Sequence, residues 1–236
     1  MYLKGGTECI VCGRNTGVVP VCKACNAMYY DVPVVLGLRR CEICGKPLIS
    51  EDKLCMECRS NPVFKSTALV VPLFQYSLWN KELLFSWKIL GMRTVSVFFA
   101  EKVHCALKLL GIKFVVPVPP RKGKIKRLGW DQIEELCTFL EFKYKYKVLR
   151  LLERKSTGEQ KKLDRSGRLE SIGKAYDLIE SRSLIRQLRK CGGKMPEHCG
   201  LIDDIVTTGS TAEGCASLLK KGGVKRVDLI SLFTAA

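Results

Sequence analysis

The sequence predicts an α/β domain, with a parallel sheet flanked by helices, that follows a small metal-binding module. Within the first 60 residues, eight cysteines form four CxxC pairs and regular periodicity is weak. Beyond them, short apolar runs alternate with segments of helical apolar spacing. Strands that are apolar throughout, and not alternately polar, are typical of a parallel sheet covered by helices on both faces.

The chain divides by composition near Asn61-Pro62, a dipeptide typical of a turn. We therefore expect the module over residues 1 to 60 and the α/β domain over residues 61 to 236. Strands are expected in "ALVVPLFQY", "IKFVVPVPP", "GLIDDIV" and "RVDLISLF", the first of them at a sheet edge because Pro72 cannot donate to a ladder. Apolar spacing predicts helices over residues 80–90, 94–110, 181–191 and 211–221, and within "WDQIEELCTFLEF".

Eight thiolates suit two tetrahedral zinc ions, and a glycine after a pair, as at Gly13 and Gly45, permits the tight turn of a zinc knuckle. Short spacers favour sequential pairing, four cysteines to each ion in chain order, although an interleaved arrangement remains open. Redox pairs or an iron–sulfur cluster are the alternatives. The predicted ligands are Cys9, Cys12, Cys22, Cys25, Cys41, Cys44, Cys55 and Cys58.

About sixty residues bury little apolar surface, so the zinc ions are expected to be structural, while a docking role for the module stays open. The other five cysteines lack metal-ligand spacing and are expected to be inert. No signal-peptide pattern opens the sequence, and the most apolar window, residues 83 to 99, is interrupted by Lys88 and Arg93. These features predict a cytoplasmic protein without membrane insertion.

The chain is strongly basic, with 40 Lys and Arg against 23 Asp and Glu, a formal charge of +17. The first 60 residues hold eight basic and six acidic side chains, so the remaining +15 belongs to the larger domain. Such an excess attracts polyphosphates or nucleic acid, or serves only solubility. The segment from Arg121 to Arg168, with Trp130 inside it, is the candidate for weak binding of single-stranded DNA.

The stretch "GLIDDIVTTGST" carries the clearest chemistry. A strand that ends at Leu201-Ile202 leaves Asp203 and Asp204 at the carboxyl edge of the sheet, where open α/β sheets bind ligands. Hydroxyl and small residues then open a helix, whose backbone N–H groups favour a phosphate. Carboxylates beside a phosphate loop suit a phosphorylated sugar; a nucleoside triphosphate fits less well because GxxxxGK[ST] is absent. The loop residues are Thr207, Thr208, Gly209, Ser210 and Thr211.

This stretch closely resembles the loop of type I phosphoribosyltransferases that binds 5-phosphoribosyl 1-pyrophosphate (PRPP). The resemblance implies that Asp203 and Asp204, the candidate catalytic residues, bind the ribose 2- and 3-hydroxyls. It also implies that residues 207 to 211 bind the 5-phosphate and that magnesium accompanies PRPP. An ordinary strand, turn and helix is the alternative.

Two further segments, "VVPVPPRKGKIKRLGWDQIEEL" and "LERKSTGEQKKLDRSGRLESIGKAY", together with the cysteine-rich head, resemble the ComF family of competence-related proteins. That family joins a zinc module to a phosphoribosyltransferase domain. Where it usually reads Arg-Gly-Phe-Asn-Gln, this chain has residues 128 to 132, Leu-Gly-Trp-Asp-Gln, and Ser171 replaces a customary Asn. The resemblance assigns Arg121, Lys122 and Lys124 to pyrophosphate and marks Arg127, Gln132, Arg154, Gln160 and Arg168 as motif positions.

The resemblance implies a PRPP- and magnesium-binding protein linked to DNA uptake or to nucleotide metabolism, with an unknown acceptor. The competing hypothesis is a non-catalytic competence factor that binds single-stranded nucleic acid and uses the PRPP site as a ligand sensor. A competence helicase or another DNA-uptake protein is the expected protein partner. His104 and His198 are expected to be packing or surface residues.

Overall fold

The computed structural model describes residues 8 to 120, 123 to 155 and 175 to 235, without the side chains of Lys126 and Arg127. Five strands form a parallel sheet in the order β1-β7-β6-β2-β3, and two more form an antiparallel pair, β4 with β5. Their bounds are Leu69–Gln75 (β1), Phe114–Pro117 (β2), Lys147–Val148 (β3), Leu152–Arg154 (β4), Tyr176–Leu178 (β5), His198–Val206 (β6) and Arg226–Thr234 (β7).

Helices cover both faces of this sheet, which confirms the predicted α/β class with a parallel sheet. Among the described residues, no helix combines the length and apolar character needed to cross a membrane. The helices are Lys23–Tyr29 (α1), Val32–Gly37 (α2), Met56–Ser60 (α3), Trp79–Lys88 (α4), Thr94–Leu109 (α5), Lys124–Leu128 (α6), Gln132–Phe142 (α7), Ser181–Leu188 (α8) and Ser210–Lys221 (α9), with a 3₁₀ turn at Arg189–Cys191.

Two apolar cores lie on the two faces because successive strand residues point to opposite sides. On β7, Ile230 enters the core formed with α4, α5 and α7, whereas Leu229 enters the core formed with α9 and the β4-β5 pair. The residues of each continuous apolar strand are therefore divided between the two cores, as expected for a sheet buried on both sides.

Strand β6 differs from its predicted end. A strand was expected within "GLIDDIV", and the site prediction placed its end at Ile202. The strand continues to Val206 because β7 pairs with it along its whole length. Strand β2 pairs with β6 only as far as Ile202. Asp203 and Asp204 thus lie inside a strand, yet beyond the end of β2, and a cleft opens there.

The described part of the module, residues 8 to 60, lies against β1, which is an edge strand as Pro72 predicts. Arg40 donates from Nη1 to the carbonyl oxygens of Gly45 and Pro72, at 2.6 and 2.9 Å. Gly45 has φ +70°, and a Cβ built there would lie 1.8 Å from the carbonyl oxygen of Val70. The module therefore covers the edge that β1 would otherwise expose. A boundary at residue 60 stays a prediction.

Candidate functional site

A cleft of about 810 Å³ opens at the carboxyl ends of β2 and β6. Both predicted aspartates line it, with Lys124, Gln132, Arg154 and Thr211 from the other predicted positions. Residues far apart in sequence therefore meet because parallel strands end at the same edge of the sheet. The lining residues that the sequence analysis did not propose as site residues include Lys88, Leu128, Asp131 and Tyr176.

Asp204 is nearly buried, with 8% of its surface exposed, and its Oδ2 has two side-chain partners. The amide nitrogen of Gln132 donates to it at 2.6 Å, and the ammonium of Lys88 lies 2.8 Å away. A buried carboxylate is tolerated when an opposite charge and hydrogen bonds compensate it. Lys88 at the end of α4 and Gln132 at the start of α7 thus hold Asp204 in the cleft.

Asp203 lies in a different electrostatic setting. Burial, and then the charge of Asp204, raise the pKa of Asp203 to about 8. Its Oδ1 accepts only one backbone N–H, that of Asp204 at 2.8 Å, among the hydrogen bonds of the described residues. Two adjacent carboxylates resist simultaneous ionisation when one is desolvated. The site therefore favours a ligand that brings cations or hydrogen-bond donors.

Lys124 and Asp131 form a second charged pair at the rim of the cleft. The ammonium of Lys124 lies 2.6 Å from Asp131 Oδ2 and also contacts the amide oxygen of Gln132. Asp131 Oδ1 caps helix α7 by accepting the N–H groups of Ile133 and Glu134 at 3.0 and 3.1 Å. Asp131, which stands where the ComF family usually has Asn, is thus the N-cap of α7, a position that aspartate favours.

The phosphate-loop residues are divided between two surfaces. Thr211 lines the cleft, whereas Thr207 and Thr208 line a neighbouring depression of about 390 Å³ shared with Cys44 and Cys58. Gly209 lies between them at φ +76°, and the ring of Phe64 occupies the space that its Cβ would need. Helix α9 begins at Ser210, directly after this turn.

Arg154 lies in the cleft with its guanidinium carbon 5.3 Å from the ring centroid of Tyr176. Arg154 lies on β4 and Tyr176 on β5, so the β4-β5 pair forms part of the same cleft lining as Asp203. Four of the predicted positions, Arg121, Lys122, Gln160 and Arg168, lie outside the described residues, as do Ser171 and the side chain of Arg127.

Lys88 is the most informative residue that sequence reasoning missed. The only signal for it is that its charge interrupts an otherwise apolar helical window. Its partner Asp204 lies more than 100 residues further along the chain, so helical spacing could not reveal the pair. Tyr176 and Asp131 gave no comparable signal.

The eight paired cysteines form two groups in sequential order. The Sγ atoms of Cys9, Cys12, Cys22 and Cys25 all lie within 4.8 Å of one another, and so do those of the last four. Within the groups, the Sγ atoms of Cys12 and Cys22 lie 3.8 Å apart and those of Cys44 and Cys55 lie 3.6 Å apart. Sulfurs around a tetrahedral zinc lie about 3.8 Å apart, given zinc–sulfur bonds of about 2.3 Å. Each group can therefore hold a metal ion, and the geometry fits a double zinc ribbon.

The thiols of the first group differ in how readily they ionise. Burial opposes ionisation of Cys9, but N–H donors from Cys22, Cys12 and Val11 outweigh it and lower its pKa to about 6. Burial and the neighbouring thiols raise the pKa of Cys25 to about 12. The second group repeats this contrast, with a lowered pKa at Cys41 and a raised one at Cys44. Four thiolates accumulate in such a site only when a cation neutralises them.

The two histidines and Trp130 serve packing. His104 stacks on Tyr144 with centroids 4.0 Å apart, as expected of a packing residue. His198 has a partner that the sequence did not reveal, because its Nε2 lies 2.8 Å from Asp228 Oδ2. It begins β6, at the end of the sheet opposite to the cleft. Trp130 is half-buried, with the guanidinium carbon of Arg93 5.8 Å from its ring centroid.

Three of the other five cysteines have the burial expected of inert thiols. Cys137, Cys199 and Cys215 are buried, and burial raises the pKa of each thiol. A thiol that stays protonated is a poor nucleophile and a poor metal ligand.

Two competence proteins resemble this chain over nearly its whole length, although no family model matches it. Competence protein ComFC of Streptococcus pneumoniae (strain ATCC BAA-255 / R6) is 25% identical over 242 residues, which cover 95% of this chain and 99% of that protein. Competence protein F of Haemophilus influenzae (strain ATCC 51907 / DSM 11121 / KW20 / Rd) is 24% identical over 247 residues, 97% of each. The resemblance to the ComF family is thus confirmed, and the chain is similar to these two competence proteins over nearly its whole length.

Proposed function

We propose that this chain is a ComF-like protein with a phosphoribosyltransferase-type domain that binds PRPP with magnesium in the cleft of Asp203 and Asp204. The observation that carries the proposal is the juxtaposition of these two carboxylates with the start of α9 at the carboxyl edge of a parallel sheet. Such an edge offers acceptors for sugar hydroxyls and donors for a phosphate within one ligand length.

In this proposal each part of PRPP meets a group of matching chemistry. Asp203 and Asp204 accept hydrogen bonds from the ribose hydroxyls, and the N-terminal turn of α9 receives the 5-phosphate. Arg121, Lys122 and Lys124 receive the pyrophosphate, since arginine and lysine suit phosphate oxygens. Magnesium, when bound with the ligand, neutralises pyrophosphate charge and so favours its departure.

The protein's own contribution is to fix the carboxylates. Lys88 and Gln132 orient Asp204, and the ion pair with Lys88 offsets part of the negative charge that a polyanionic ligand would meet. Lys124 is already paired with Asp131, so in this proposal pyrophosphate shares this lysine with a carboxylate.

Calorimetry with PRPP and magnesium tests the assignment. Asp204→Asn removes one charge from the cleft, and we expect it to weaken PRPP binding by about tenfold or more, as the loss of a charged hydrogen bond does. The matched control is Asp177→Asn, which removes the same charge on β5, where Asp177 pairs with Lys155 and lies outside the cleft lining. Unchanged affinity in Asp204→Asn would refute the PRPP site.

Whether PRPP is turned over is a separate measurement. Pyrophosphate release is followed with free bases, nucleotides and single-stranded DNA as acceptors. Steady release with a free base supports transfer chemistry, and binding without release supports the ligand sensor. We propose that in either case the chain acts in DNA uptake, because both relatives are named competence proteins. The eight paired thiols favour a reducing compartment, so we place this function in the cytoplasm.

Binding of single-stranded DNA is the second candidate, favoured by the +15 charge of residues 61 to 236. Lys124 and Trp130 are already engaged by Asp131 and Arg93, which weakens the expectation that Trp130 stacks on bases. Phosphate contacts remain, and each should contribute a slope of about −0.7 to a log–log plot of affinity against salt. A zero slope, or no binding at 50 mM salt, would remove DNA from the proposed ligands.

A further inference from the structure

Glu135 is a buried carboxylate at the meeting point of α4, α5 and α7, and only 8% of its surface is exposed. Its Oε1 accepts the guanidinium of Arg93, which precedes α5. Its Oε2 accepts the hydroxyl of Ser96 at 2.5 Å, and Ser96 in turn accepts the indole N–H of Trp87 at 2.7 Å. These four residues are called the Glu135 cluster below.

The Glu135 cluster touches both elements that hold Asp204. Trp87 is fully buried and is the residue before Lys88 on α4. Glu135 lies three residues after Gln132 on α7, so the two side chains leave neighbouring points of one helix face. Lys88 and Gln132 are the two side chains that contact Asp204 Oδ2. The Glu135 cluster therefore ties the ends of α4 and α7 together next to the cleft without entering it.

We propose that Glu135 is a positioning residue, which fixes α4 relative to α7 so that Lys88 and Gln132 reach Asp204 together. The effect of Glu135 on ligand binding rests on the proposed function. The positioning of Lys88 and Gln132 by Glu135 does not depend on it. An ion pair serving stability alone could join any two helices of the core. The Glu135 cluster also links α7, through Ser96 of α5, to Trp87 of α4, and the ends of α4 and α7 converge on a single carboxylate oxygen.

The Lys88–Asp204 ion pair provides a readout that needs no PRPP. Trace acetylation followed by mass spectrometry measures the reactivity of each lysine in the folded protein. Lys46 is an internal control, because its ion pair with Glu57 has an N–O distance of 2.9 Å against 2.8 Å for Lys88 and Asp204. The lysine side chains are also similarly exposed, at 21% and 28%.

Two variants disconnect Glu135 from its partners. Ser96→Ala removes the link to Trp87, and the isosteric Glu135→Gln removes the charge that pairs with Arg93. In both we expect the acetylation rate of Lys88 to rise about two- to fivefold, as when a partly exposed ion pair is lost. The rate at Lys46 should stay constant. Val103→Ala, a buried change in the same helix α5, controls for general destabilisation and should leave Lys88 unaffected.

PRPP affinity supplies the second readout through a double-mutant cycle. If Glu135 acts through Lys88, Glu135→Gln weakens PRPP binding in the wild-type background but has little further effect when Lys88→Met is present. A general structural role predicts equal losses in both backgrounds, and that result would overturn the inference. So would an unchanged rate at Lys88 in Ser96→Ala and Glu135→Gln. If the wild type binds no PRPP, the proposed function fails, and the acetylation rates alone decide the positioning role.

Discussion

Asp203 and Asp204 are neighbours in sequence but differ in chemistry. Asp204 receives an ammonium and an amide, so its charge is compensated within the cleft. Asp203 is desolvated beside that charge, and its pKa rises to about 8. The first carboxylate along the strand therefore holds its proton more tightly than an ordinary aspartate does. The two aspartates differ because Lys88, at the end of α4, and Gln132, at the start of α7, contact Asp204.

The raised pKa of Asp203 predicts that PRPP binding strengthens with pH. A ribose hydroxyl that donates to a carboxylate requires the ionised form, so affinity should rise between pH 6 and 8, by at most about tenfold per pH unit for one proton. Calorimetry over this range measures the slope. Asp203→Asn is the control, because it keeps the titration of the ligand phosphate but loses the contribution of the carboxyl group. Equal slopes in both proteins would contradict the prediction.

The same shift makes a separate prediction about the ligand-free protein. Between pH 4 and 8 the folded protein holds a proton on Asp203 that the unfolded chain has released, so the contribution of this residue to the free energy of unfolding falls as pH rises through this range. Urea unfolding of wild type and Asp203→Asn at both ends of the range tests this. The variant lacks this falling contribution, so from pH 4 to 8 its free energy of unfolding should change more favourably than that of the wild type, and the same change in both proteins would show that the pKa of Asp203 is not raised.

At the scale of elements, periodicity predicted the strands and helices because each one buries an apolar face. Helix α5 was expected over residues 94 to 110 and is found at Thr94–Leu109. The end of β6 was misplaced because its length depends on pairing with β7, a partner that periodicity does not identify. Periodicity also could not show that Thr207 and Thr208 line a depression together with Phe64, a residue far away in sequence.

The second cysteine group covers the edge strand β1. An uncovered edge exposes unpaired backbone groups and invites association between molecules. Here Gly45 brings the knuckle backbone against Val70, and Arg40 donates to Pro72. A residue with a side chain at position 45 would have to move one of the two backbones.

Gly45→Ala should therefore destabilise the protein more than Gly13→Ala. Both glycines have φ +70°, so each substitution carries the left-handed strain of about 1–2 kcal/mol. Only at Gly45 does the new Cβ meet the carbonyl oxygen of Val70, whereas nothing lies within 4 Å of it at Gly13. Thermal unfolding of the two variants isolates the effect of the close approach. Equal unfolding midpoints would mean that the module does not lie against β1 in solution.

At the scale of the whole molecule, the two cysteine groups are joined to the rest in different ways. Cys9 and Cys25 belong to the same apolar core as α4, α5 and β1. Tyr30, which ends the first ribbon, is fully buried and donates to Asn80 of α4 at 2.6 Å. The second group packs mainly within its own small cluster around Leu48. A segment too short to bury a large core of its own thus packs against the core of the larger domain.

The difference between the groups predicts unequal effects of removing one ligand from each. Cys9→Ser and Cys58→Ser should each reduce the zinc content from two ions per chain to one, because a site with three thiolates binds more weakly. Cys9→Ser should also lower the midpoint of helix unfolding, by at least about 2–4 °C beyond Cys58→Ser, since 1 kcal/mol shifts the midpoint by that much in a chain of this size. Elemental analysis gives the metal content, and circular dichroism gives the midpoint. Iron in place of zinc would contradict the metal assignment. A larger shift for Cys58→Ser would show that the second ribbon, through its cover of β1, stabilises the sheet more than the first ribbon does through the shared core.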